Sequence, residues 1–363
     1  MSNETNPAVT MATPGYGERL GQAVSQMQYL SEDLRAFVVG LLEVLIHLPR
    51  AVLGDTISPH SHITRLIRQT TLPKVNQGSP VAIVTGANSG CGYETAKALM
   101  QAGYHVILAC RSPEAARQAM DRLAIETDLD NMEFMALDLA SLESVKQFCD
   151  QFQRRGLPLH LLVNNAGIMN TPYAQTSEGF ESQFGVNHIG HFVLTMLLLD
   201  ILKRSAPARI INVSSVAHLS ATTVDTTRLE DVGRYSRLLN YSVGKLCNIL
   251  FTKELSRRLQ GTDVTVNACH PGPVGTGLYR YTLGMTRMKW LTDFLLLSPL
   301  QGALTTIYLA LSPEVEQVSG EYFFDMAPHY PSPAALSEKE QKFLWNYTVE
   351  KLIPHIPLAA DWK

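Results

Sequence analysis

The sequence predicts an α/β fold: a single doubly wound parallel sheet flanked by helices, with a helical extension at each end. Two observations support this fold class. Between Pro80 and about Asp325, short apolar runs rich in β-branched residues alternate with amphipathic segments, which is typical of parallel strands joined by crossover helices. The first run then enters a glycine-rich turn that opens a helix, a common phosphate-binding arrangement. We therefore divide the chain into an N-terminal extension (1–78), a central domain (79–326) and a C-terminal tail (327–363).

Seven apolar runs in the central domain are predicted to be strands. They span residues 81–84, 105–110, 132–137, 159–165, 208–215, 264–270 and 321–325. Helical spacing is clearest over residues 114–126, 142–153, 178–202 and 241–259. Crossovers between parallel strands are right-handed, and ligands bind outside the carboxyl ends of the strands. Functional residues are therefore expected where each strand ends.

The two extensions carry weaker signals. The N-terminal one opens with a polar stretch, predicted to be flexible, and continues into 13 largely apolar residues at 36–48 that Glu43 and His47 interrupt. A spanning helix needs about 20 apolar residues. The segment therefore fits either an interfacial helix on a membrane or a helix docked on the main domain or a partner subunit. In the C-terminal tail a helix is predicted, with Ser337 and Glu340 as its capping box.

The composition is that of a cytoplasmic globular protein. Of the 363 residues, 45% are hydrophobic and 17% charged, and 30 basic against 33 acidic residues leave a formal charge of −3. This balance argues against nucleic acid as a partner. The five cysteines form no Cys-x-x-Cys pair, which argues against a disulfide scaffold or a zinc site. The N-terminus lacks the basic start and early apolar run of a secretory signal.

The stretch TGANSGCG, residues 85–92, joins the first strand to the following helix. Its glycines at 86, 90 and 92 let the backbone approach a pyrophosphate, and the helix N-terminus offers unpaired N–H groups with a positive dipole end. The spacing differs from Gly-x-Gly-x-x-Gly and from the Walker pattern. We predict a phosphate cradle, and the alternative is an ordinary tight strand-to-helix turn.

Three further strand ends carry residues suited to a dinucleotide. The second strand ends in Cys110 and Arg111, so a 2′-phosphate would meet an arginine where a carboxylate usually binds a 2′-hydroxyl. This favours NADP(H) over NAD(H). Asp138 and Leu139, after the third strand, are suited to bind and pack an adenine. The small residues of NNAG (164–167), after the fourth, let the chain pass close to a cofactor.

The fifth strand ends in NVSS, and YSVGK follows after a polar loop. Tyr241 and Lys245 are four residues apart on a predicted helix, so their side chains leave from one face. A lysine cation near a phenol lowers the pKa of the tyrosine, and such a phenol can exchange a proton with a carbonyl or alcohol oxygen. Ser215, at the strand end, can hold the same oxygen. In isolation the Tyr-x-x-x-Lys pair would be read as an exposed helix pair.

Six motifs, TGANSGCG, NNAG, VNHIGHF, NVSS, YSVGK and HPGPVGT, occur in the order and spacing of the short-chain dehydrogenase/reductase family. The chain resembles this family over about 81–326. It is most similar to the retinol dehydrogenase and WW-domain oxidoreductase group, through ACRS, DLASLESV, NHIGHF and VTVNACHPG. Protochlorophyllide reductases share several phrases, but they usually carry Cys-Asn-Ala-Ala in place of NNAG and Pro-Gly-Cys in place of HPGP. The resemblance implies a Rossmann-type sheet.

The resemblance also implies roles for individual residues. Tyr241 would be the acid/base, Ser215 would polarise the substrate oxygen, Lys245 would bind the nicotinamide ribose, and Asn187 would hold a water in the proton relay. Together with the positions named above, the predicted cofactor-binding residues are Thr85, Gly86, Asn88, Ser89, Gly90, Gly92, Arg111, Asp138, Leu139, Asn164, Ala166, Gly167, Tyr241, Lys245, Pro271, Gly272, Val274 and Thr276. The histidines at 188, 191, 218 and 270 lie on unrelated elements, and no metal site is expected.

The motifs predict an NADP(H)-dependent oxidoreductase that interconverts an alcohol and a carbonyl by hydride transfer. Apolar and aromatic residues over 278–297 follow the nicotinamide segment, where the family carries a variable lid, so we expect a lipophilic substrate such as a retinoid, steroid or fatty aldehyde. These residues could instead pack onto the sheet. Ring reduction of the protochlorophyllide type and a cofactor-binding regulatory protein are the alternatives. Peripheral membrane contact and homo-oligomer formation stay open.

Overall fold

The computed structural model describes residues 34, 38, 39, 41, 42 and 45 of an N-terminal helix, then 58–73, 78–275, 296–357 and 362. A single sheet forms the centre of this part of the chain. Its strands are β1 (Val81–Thr85), β2 (His105–Cys110), β3 (Met132–Ala136), β4 (Leu161–Asn164), β5 (Ala208–Val213), β6 (Val264–Cys269), β7 (Tyr322–Phe324) and β8 (Ala327–Pro328). Their spatial order is β3-β2-β1-β4-β5-β6-β7-β8. All neighbours are parallel except β7 and β8. The predicted doubly wound parallel sheet is thus confirmed.

Helices cover both faces of the sheet. They are α1 (Pro59–Gln69), α2 (Gly90–Gln101), α3 (Pro113–Thr127), α4 (Leu142–Arg154), α5 (Ser182–Arg204), α6 (Thr226–Glu230), α7 (Arg237–Arg258), α8 (Pro299–Leu311), α9 (Pro333–Leu336) and α10 (Glu338–Leu352). The helices α4, α5, α7 and α10 share one apolar layer with the sheet, and α1, α2, α3 and α8 share the other.

Strand β1 shows why these strands are apolar along their whole length. Val81 and Ile83 enter one apolar layer, whereas Ala82 and Val84 enter the other. Both faces of a parallel sheet covered by helices are buried, so alternation of apolar and polar residues is lost. The strand also lies at the point where the order reverses, because Ala82 is aligned with Val106 of β2 on one side and Leu161 of β4 on the other. A crevice for ligands is expected outside the carboxyl ends of β1 and β4.

The seven predicted strands all correspond to observed strands, and each of the four named helices is present with its ends shifted by a few residues. The sequence analysis did not predict α1 or β8. Helix α1 begins after Ser58 with proline at its first position and buries Ile63 and Leu66. Proline at that position is an ordinary helix start, so the signal was present in the sequence. Strand β8 has two residues, too few for any periodicity.

The predicted capping box of α10 is half right. The hydroxyl of Ser337 accepts the backbone N–H of Glu340 at 3.3 Å, as an N-cap residue should. The Glu340 carboxylate, however, does not return to the helix start. It accepts the hydroxyl of Thr223 at 3.0 Å and the backbone N–H of Val224 at 3.1 Å. A tertiary contact therefore replaces the local hydrogen bond that the sequence pattern predicts.

Helix α5 is the central helix of its layer. Among the described residues, it is the helix that is long and apolar enough to cross a membrane, but 89% of its most apolar window is buried in the protein. Burial accounts for its apolar composition. The helix contains a π turn over Gly185–Ile189, a type of distortion that often occurs at functional sites.

The described residues of the N-terminal helix contact the segment after β5. Val39 is fully buried and clusters with Val216 and Leu219, and Leu42 packs against them. This contact favours the docked alternative for these two side chains. Leu41 and Leu45 of the same helix are about half exposed, so the helix is not covered on every side.

Candidate active site

The carboxyl ends of β1 and β4 are joined by Thr85, which is fully buried. The backbone N–H groups of Asn165 and Ala166 both donate to its Oγ1 at 2.9 Å. The side-chain Nδ2 of Asn165 donates to the Thr85 carbonyl at 2.8 Å. Thr85 therefore fixes the glycine turn relative to the NNAG segment. Its hydroxyl is engaged within the protein, so the predicted contact with a cofactor rests on its backbone.

The glycine turn has a shape that larger residues could not take. Gly86 and Gly90 have φ values of +67° and +60°, a region that disfavours residues with a Cβ. A Cβ at Gly92 would lie 2.6 Å from the Gly86 carbonyl oxygen and 2.5 Å from Nδ2 of Asn165. Gly92 thus lets α2 lie directly against the turn.

The N-terminus of α2 is left open to a ligand. Ser89 is its N-cap residue and is exposed, yet its side chain makes no capping hydrogen bond. The N-cap serines of α3 and α4, Ser112 and Ser141, do cap their helices. The first turn of α2 carries no acidic residue. Free N–H groups at a positive helix end fit the pyrophosphate of a dinucleotide. Asn88, in the same turn, is half-buried.

The end of β2 carries a neutral thiol followed by a free cation. Cys110 is buried beside the backbone N–H groups of Ala87 and Asn88, and burial raises the pKa of its thiol to about 11. The thiol therefore stays uncharged at neutral pH. Arg111 is exposed, and within the described part of the chain it makes no ion pair or hydrogen bond. The position suits an anionic group on the ribose.

Asp138 and Leu139 lie beyond β3. One carboxylate oxygen of Asp138 accepts the backbone N–H of Ala140 at 3.0 Å, and the N-cap of α4 is Ser141. Asp138 is therefore not the N-cap residue, and its second oxygen remains for a ligand. The side chain of Leu139 is buried against Gly190 of α5, where a Cβ would lie 2.9 Å from that of Leu139.

The residues of the NNAG segment lie in different environments. Asn164 is buried, and its Nδ2 donates to Thr195 Oγ1 at 2.9 Å and to Asn212 Oδ1 at 2.8 Å. Its side chain thus links the sheet to α5 and does not enter the crevice. Ala166 and Gly167 are half-buried at the crevice. A Cβ at Gly167 would lie 3.5 Å from Nζ of Lys245, so this glycine borders the predicted catalytic lysine.

Helix α7 brings Tyr241 and Lys245 together in the interior. They are 5% and 4% exposed, and Nζ of Lys245 lies 5.7 Å from the centroid of the Tyr241 ring. The ammonium donates to the Val213 carbonyl at 2.9 Å. Burial lowers the pKa of Lys245 to about 8, because desolvation disfavours its charged form. A buried ammonium with donors to spare fits the hydroxyl groups of a ribose.

Ser215 and Asn187 complete the four residues that were predicted to carry the reaction. Ser215 follows β5, is half-buried, and its Oγ accepts the backbone N–H of Ala217 at 3.2 Å. Asn187 lies in the π turn and is fully buried. Its Oδ1 accepts the N–H of Ile168 at 2.9 Å, and its Nδ2 donates to the Ile168 carbonyl at 3.0 Å. The side chain of Asn187 therefore holds the chain that follows NNAG.

The segment after β6 is described up to residue 275. Pro271 and Gly272 are half-buried, and Gly272 has a φ of +79°. Val274 is buried and pairs with Leu297 in a parallel bridge. Thr276 and residues 278–295 of the predicted lid lie outside the described residues, whereas Leu296 and Leu297 at the end of the lid are buried. Their predicted roles stay predictions.

The histidines at 188, 191 and 270 serve separate contacts. His188 Nε2 lies 3.0 Å from Thr348 Oγ1 of α10, and Nδ1 of His270 accepts the N–H of Gly272 at 3.1 Å. His191 lies between two parts of the site, with Nε2 2.9 Å from Thr85 Oγ1 and Nδ1 3.2 Å from the Asn187 carbonyl. Within the described ranges no three His, Cys, Asp or Glu residues are grouped to hold a metal.

Sequence reasoning missed three residues that support the site: Asn165, His191 and His218. Asn165 was present in the NNAG motif, but nothing in the motif distinguishes a side chain that bonds to β1 from one that meets a cofactor. His191 and His218 were considered only as metal ligands. Their positions four and three residues after Asn187 and Ser215 were the available signal, since such spacing places side chains over a preceding carbonyl.

Comparison with known proteins agrees with this geometry. A family model described as short chain dehydrogenase matches residues 80–283. Retinol dehydrogenase 12 from Homo sapiens is 42% identical over 272 residues, which cover 75% of this chain and 86% of that protein. WW domain-containing oxidoreductase from Homo sapiens is 43% identical over 300 residues, covering 78% and 71%.

A solved structure is also similar to this chain. The crystal structure of an uncharacterised protein from Mycobacterium paratuberculosis shares 33% identity at a TM-score of 0.60, and the match covers 80% of this chain and 98% of that one. The sheet, the glycine turn and the Tyr241–Lys245 pair are thus found in a chain whose sequence matches known dehydrogenases. The chain belongs to the short-chain dehydrogenase family, whose members are oxidoreductases that use a nicotinamide cofactor.

Proposed function

We propose that this protein is an NADP(H)-dependent oxidoreductase that interconverts an alcohol and a carbonyl, with Tyr241 as acid and base. The observation that carries the proposal is the buried pair on α7, in which the Lys245 ammonium lies 5.7 Å from the Tyr241 ring centroid. A cation near a phenol in a dry environment favours the phenolate. Tyr241 can then give a proton to a carbonyl oxygen or take one from an alcohol.

The other residues of the site orient the reactants. The bound cofactor supplies or accepts the hydride. Ser215 uses an oxygen lone pair for the N–H of Ala217, which leaves its O–H to donate to the substrate oxygen. Lys245 has one ammonium donor on the Val213 carbonyl, and its remaining donors are suited to the nicotinamide ribose. Asn187 holds residue 168 at the wall of the crevice.

Turnover is the direct test of this function. The purified protein would be incubated with NADPH and a panel of retinoid, steroid and fatty carbonyl compounds, and the nicotinamide absorbance followed. The reverse reaction would use NADP⁺ and the matching alcohols. We expect oxidation or reduction of at least one lipophilic compound. Cofactor binding without turnover in either direction would favour the regulatory alternative.

Arg111 is proposed to select NADP(H). We expect the wild type to bind NADPH at least about 10-fold more tightly than NADH, because a guanidinium pairs with the 2′-phosphate. Arg111→Ala should bring the two affinities close together by weakening NADPH binding alone. Titration of both cofactors by fluorescence measures this. Arg117→Ala is the matched control, since Arg117 is also exposed and pairs only weakly with Glu114 at 3.6 Å. Equal wild-type affinities would refute the assignment.

The substrate is proposed to be lipophilic because of the apolar residues over 278–297. In a series of straight-chain aldehydes, kcat/KM should rise with length by at most about four-fold per added methylene, equivalent to about 0.8 kcal/mol. Aldehydes of equal length that end in a hydroxyl group serve as the control, and their kcat/KM should rise less. A flat series, or one in which the smallest aldehyde is best, would show that no lipophilic pocket is present.

We also propose a cytoplasmic location with peripheral membrane contact through the N-terminal helix. Leu41 is 48% exposed and Leu45 is 52% exposed, and exposed leucines on a docked helix suit either a lipid surface or a second subunit.

A further inference from the structure

A buried histidine joins the end of β5 to the C-terminal tail. His218 lies in the short 3-10 turn Val216–Ser220 and is 1% exposed. Its Nδ1 lies 2.7 Å from the carbonyl oxygen of Ser215, and its Nε2 lies 3.1 Å from the backbone nitrogen of Ser332. Ser332 lies beyond residues 80–283, which match the family. The ring therefore connects the proposed catalytic serine to a part of the chain outside that match.

The partners of His218 determine its tautomer. The Ser215 carbonyl can only accept a hydrogen bond, so Nδ1 carries the hydrogen. The Ser332 N–H can only donate, so Nε2 presents its lone pair. Burial lowers the pKa of His218 to about 4, so the ring is neutral at physiological pH, with its one N–H toward Ser215 and its lone pair toward Ser332. The ring also packs edge-to-face on Tyr322 of β7, with centroids 5.0 Å apart, which fixes its orientation.

The Ser215 carbonyl depends on His218 twice. It accepts the backbone N–H of His218 at 3.1 Å as well as the ring Nδ1. Ser215 itself is extended, with φ −158° and ψ 155°, so it belongs neither to β5 nor to the turn that follows. Rotation of the peptide after Ser215 would break both hydrogen bonds and would displace Ala217, whose backbone N–H holds the Ser215 hydroxyl at 3.2 Å.

The C-terminal tail also contacts the segment of the chain between Ser215 and Tyr241. The Glu340 carboxylate accepts two hydrogen bonds from residues 223 and 224. Further along α10, Tyr347 donates to Glu230 at 2.9 Å, and Lys351 pairs with Glu230 at 2.6 Å. Three residues of the tail thus hold the segment between Ser215 and Tyr241. The contact between Ser332 and His218 is the one that reaches Ser215.

We infer that His218 is a positioning residue, which holds the Ser215 carbonyl and ties it to the C-terminal tail through its hydrogen bond with Ser332. The inference rests on the proposed role of Ser215 in the reaction. It assigns the tail a part in keeping the site in its active geometry, in addition to covering the apolar layer beneath α10.

The backbone N–H of Ser332 can be removed by one substitution. Ser332 has φ −59° and ψ 154° and precedes Pro333, a conformation that proline adopts without strain. Ser332→Pro leaves Nε2 of His218 without its donor. Ser332→Ala is the matched control. Both variants lose the Ser332 hydroxyl that accepts the Ala335 N–H at 3.3 Å, but Ser332→Ala keeps the backbone donor.

Two measurements test the inference on these variants. In the cofactor-free protein, amide hydrogen exchange at Ala217 and His218 should be at least about 10-fold faster in Ser332→Pro than in Ser332→Ala, because the turn loosens. With NADPH and decanal, kcat should fall at least about 10-fold in Ser332→Pro alone, with NADPH affinity within about two-fold of the wild type, since small misplacements are costly in catalysis. Equal exchange in the two variants would overturn the inference.

The exchange measurement does not depend on turnover. A wild type that turns over no compound of the panel in either direction contradicts the proposed function, whereas the exchange rates still decide whether the tail holds the turn. Should Ser332→Pro not fold, His218→Asn replaces it. The asparagine amide keeps a donor near the Nδ1 position but leaves the Ser332 N–H without its acceptor. Unchanged exchange and unchanged kcat in His218→Asn would then refute the link to the tail.

Discussion

Tyr241→Phe is expected to bind NADPH with nearly wild-type affinity and to lose at least about 100-fold in kcat. The substitution removes the proton that the phenol exchanges with the substrate oxygen and keeps the ring that packs in the interior. The side chain is only 5% exposed, so water cannot readily replace the missing group. Cofactor titration by fluorescence and steady-state turnover on the same preparation separate binding from chemistry.

Tyr104→Phe is the matched control for this experiment. Tyr104 is 4% exposed and immediately precedes β2, at the edge of the sheet opposite the carboxyl ends. It loses the same hydroxyl from a comparably buried site, so any general effect of that loss on folding appears in both variants. Substantial turnover by Tyr241→Phe, with Tyr104→Phe at the wild-type level, would mean that another group is the acid.

Lys245→Met is expected to stabilise the cofactor-free protein while abolishing turnover. Burial holds the pKa of Lys245 at about 8, against an ordinary value of 10.5, so the folded state carries a penalty for the charge at pH 7. The free energy of unfolding should rise by up to about 3 kcal/mol when the charge is removed. The Val213 carbonyl keeps a partner, because Nδ2 of Asn248 also donates to it at 3.1 Å.

The stabilisation should depend on pH in a defined direction. Below pH 8 the lysine is protonated in both the folded and unfolded states, and the full penalty is present. Between pH 8 and about 10.5 the folded protein releases this proton before the unfolded chain does, so the wild type recovers stability relative to Lys245→Met. Urea unfolding of both proteins at several pH values measures this difference. Lys253→Met, on the same helix, is the control. A constant difference across this range would show that Lys245 is not buried as a cation.

The fold was predictable because its signals are local. Each of the seven predicted strands is an apolar run long enough to be recognised, and β1 with α2 carries a turn that glycine makes distinctive. Contacts between distant segments were not predictable. Glu340 matched a local capping pattern, yet it bonds to residues more than a hundred positions away. A single sequence does not show which of two hydrogen-bond partners of similar strength a side chain takes.

The candidate site was likewise predictable where the signal is local and not where it depends on contacts between distant segments. Tyr241 and Lys245 were predicted to share a face because four residues of helix separate them, and the structure brings both into the interior. Asn164 was predicted to be a cofactor-binding residue because the NNAG chain passes close to a cofactor, and its side-chain amide bonds to Thr195 and Asn212. In NNAG both asparagine side chains bond within the protein, that of Asn165 to the Thr85 carbonyl of β1, and the small residues that follow border the crevice. The exact end of β4 decides which is which, and strand ends are the least certain part of a prediction from sequence.

The π turn in α5 offsets the rotation of the helix before the turn from that of the helix after it. Each residue of an α-helix turns the chain by about 100°, so one extra residue offsets everything before it from everything after it. Before the offset, Gln183 bonds to the Tyr235 hydroxyl. After the offset, Thr195 bonds to Asn164. Deleting one residue from the turn would restore a regular α-helix but would rotate one half relative to the other by about 100°, which would swing Asn187 away from Ile168. The extra residue therefore acts as a spacer that lets one helix serve the crevice and the interior at once.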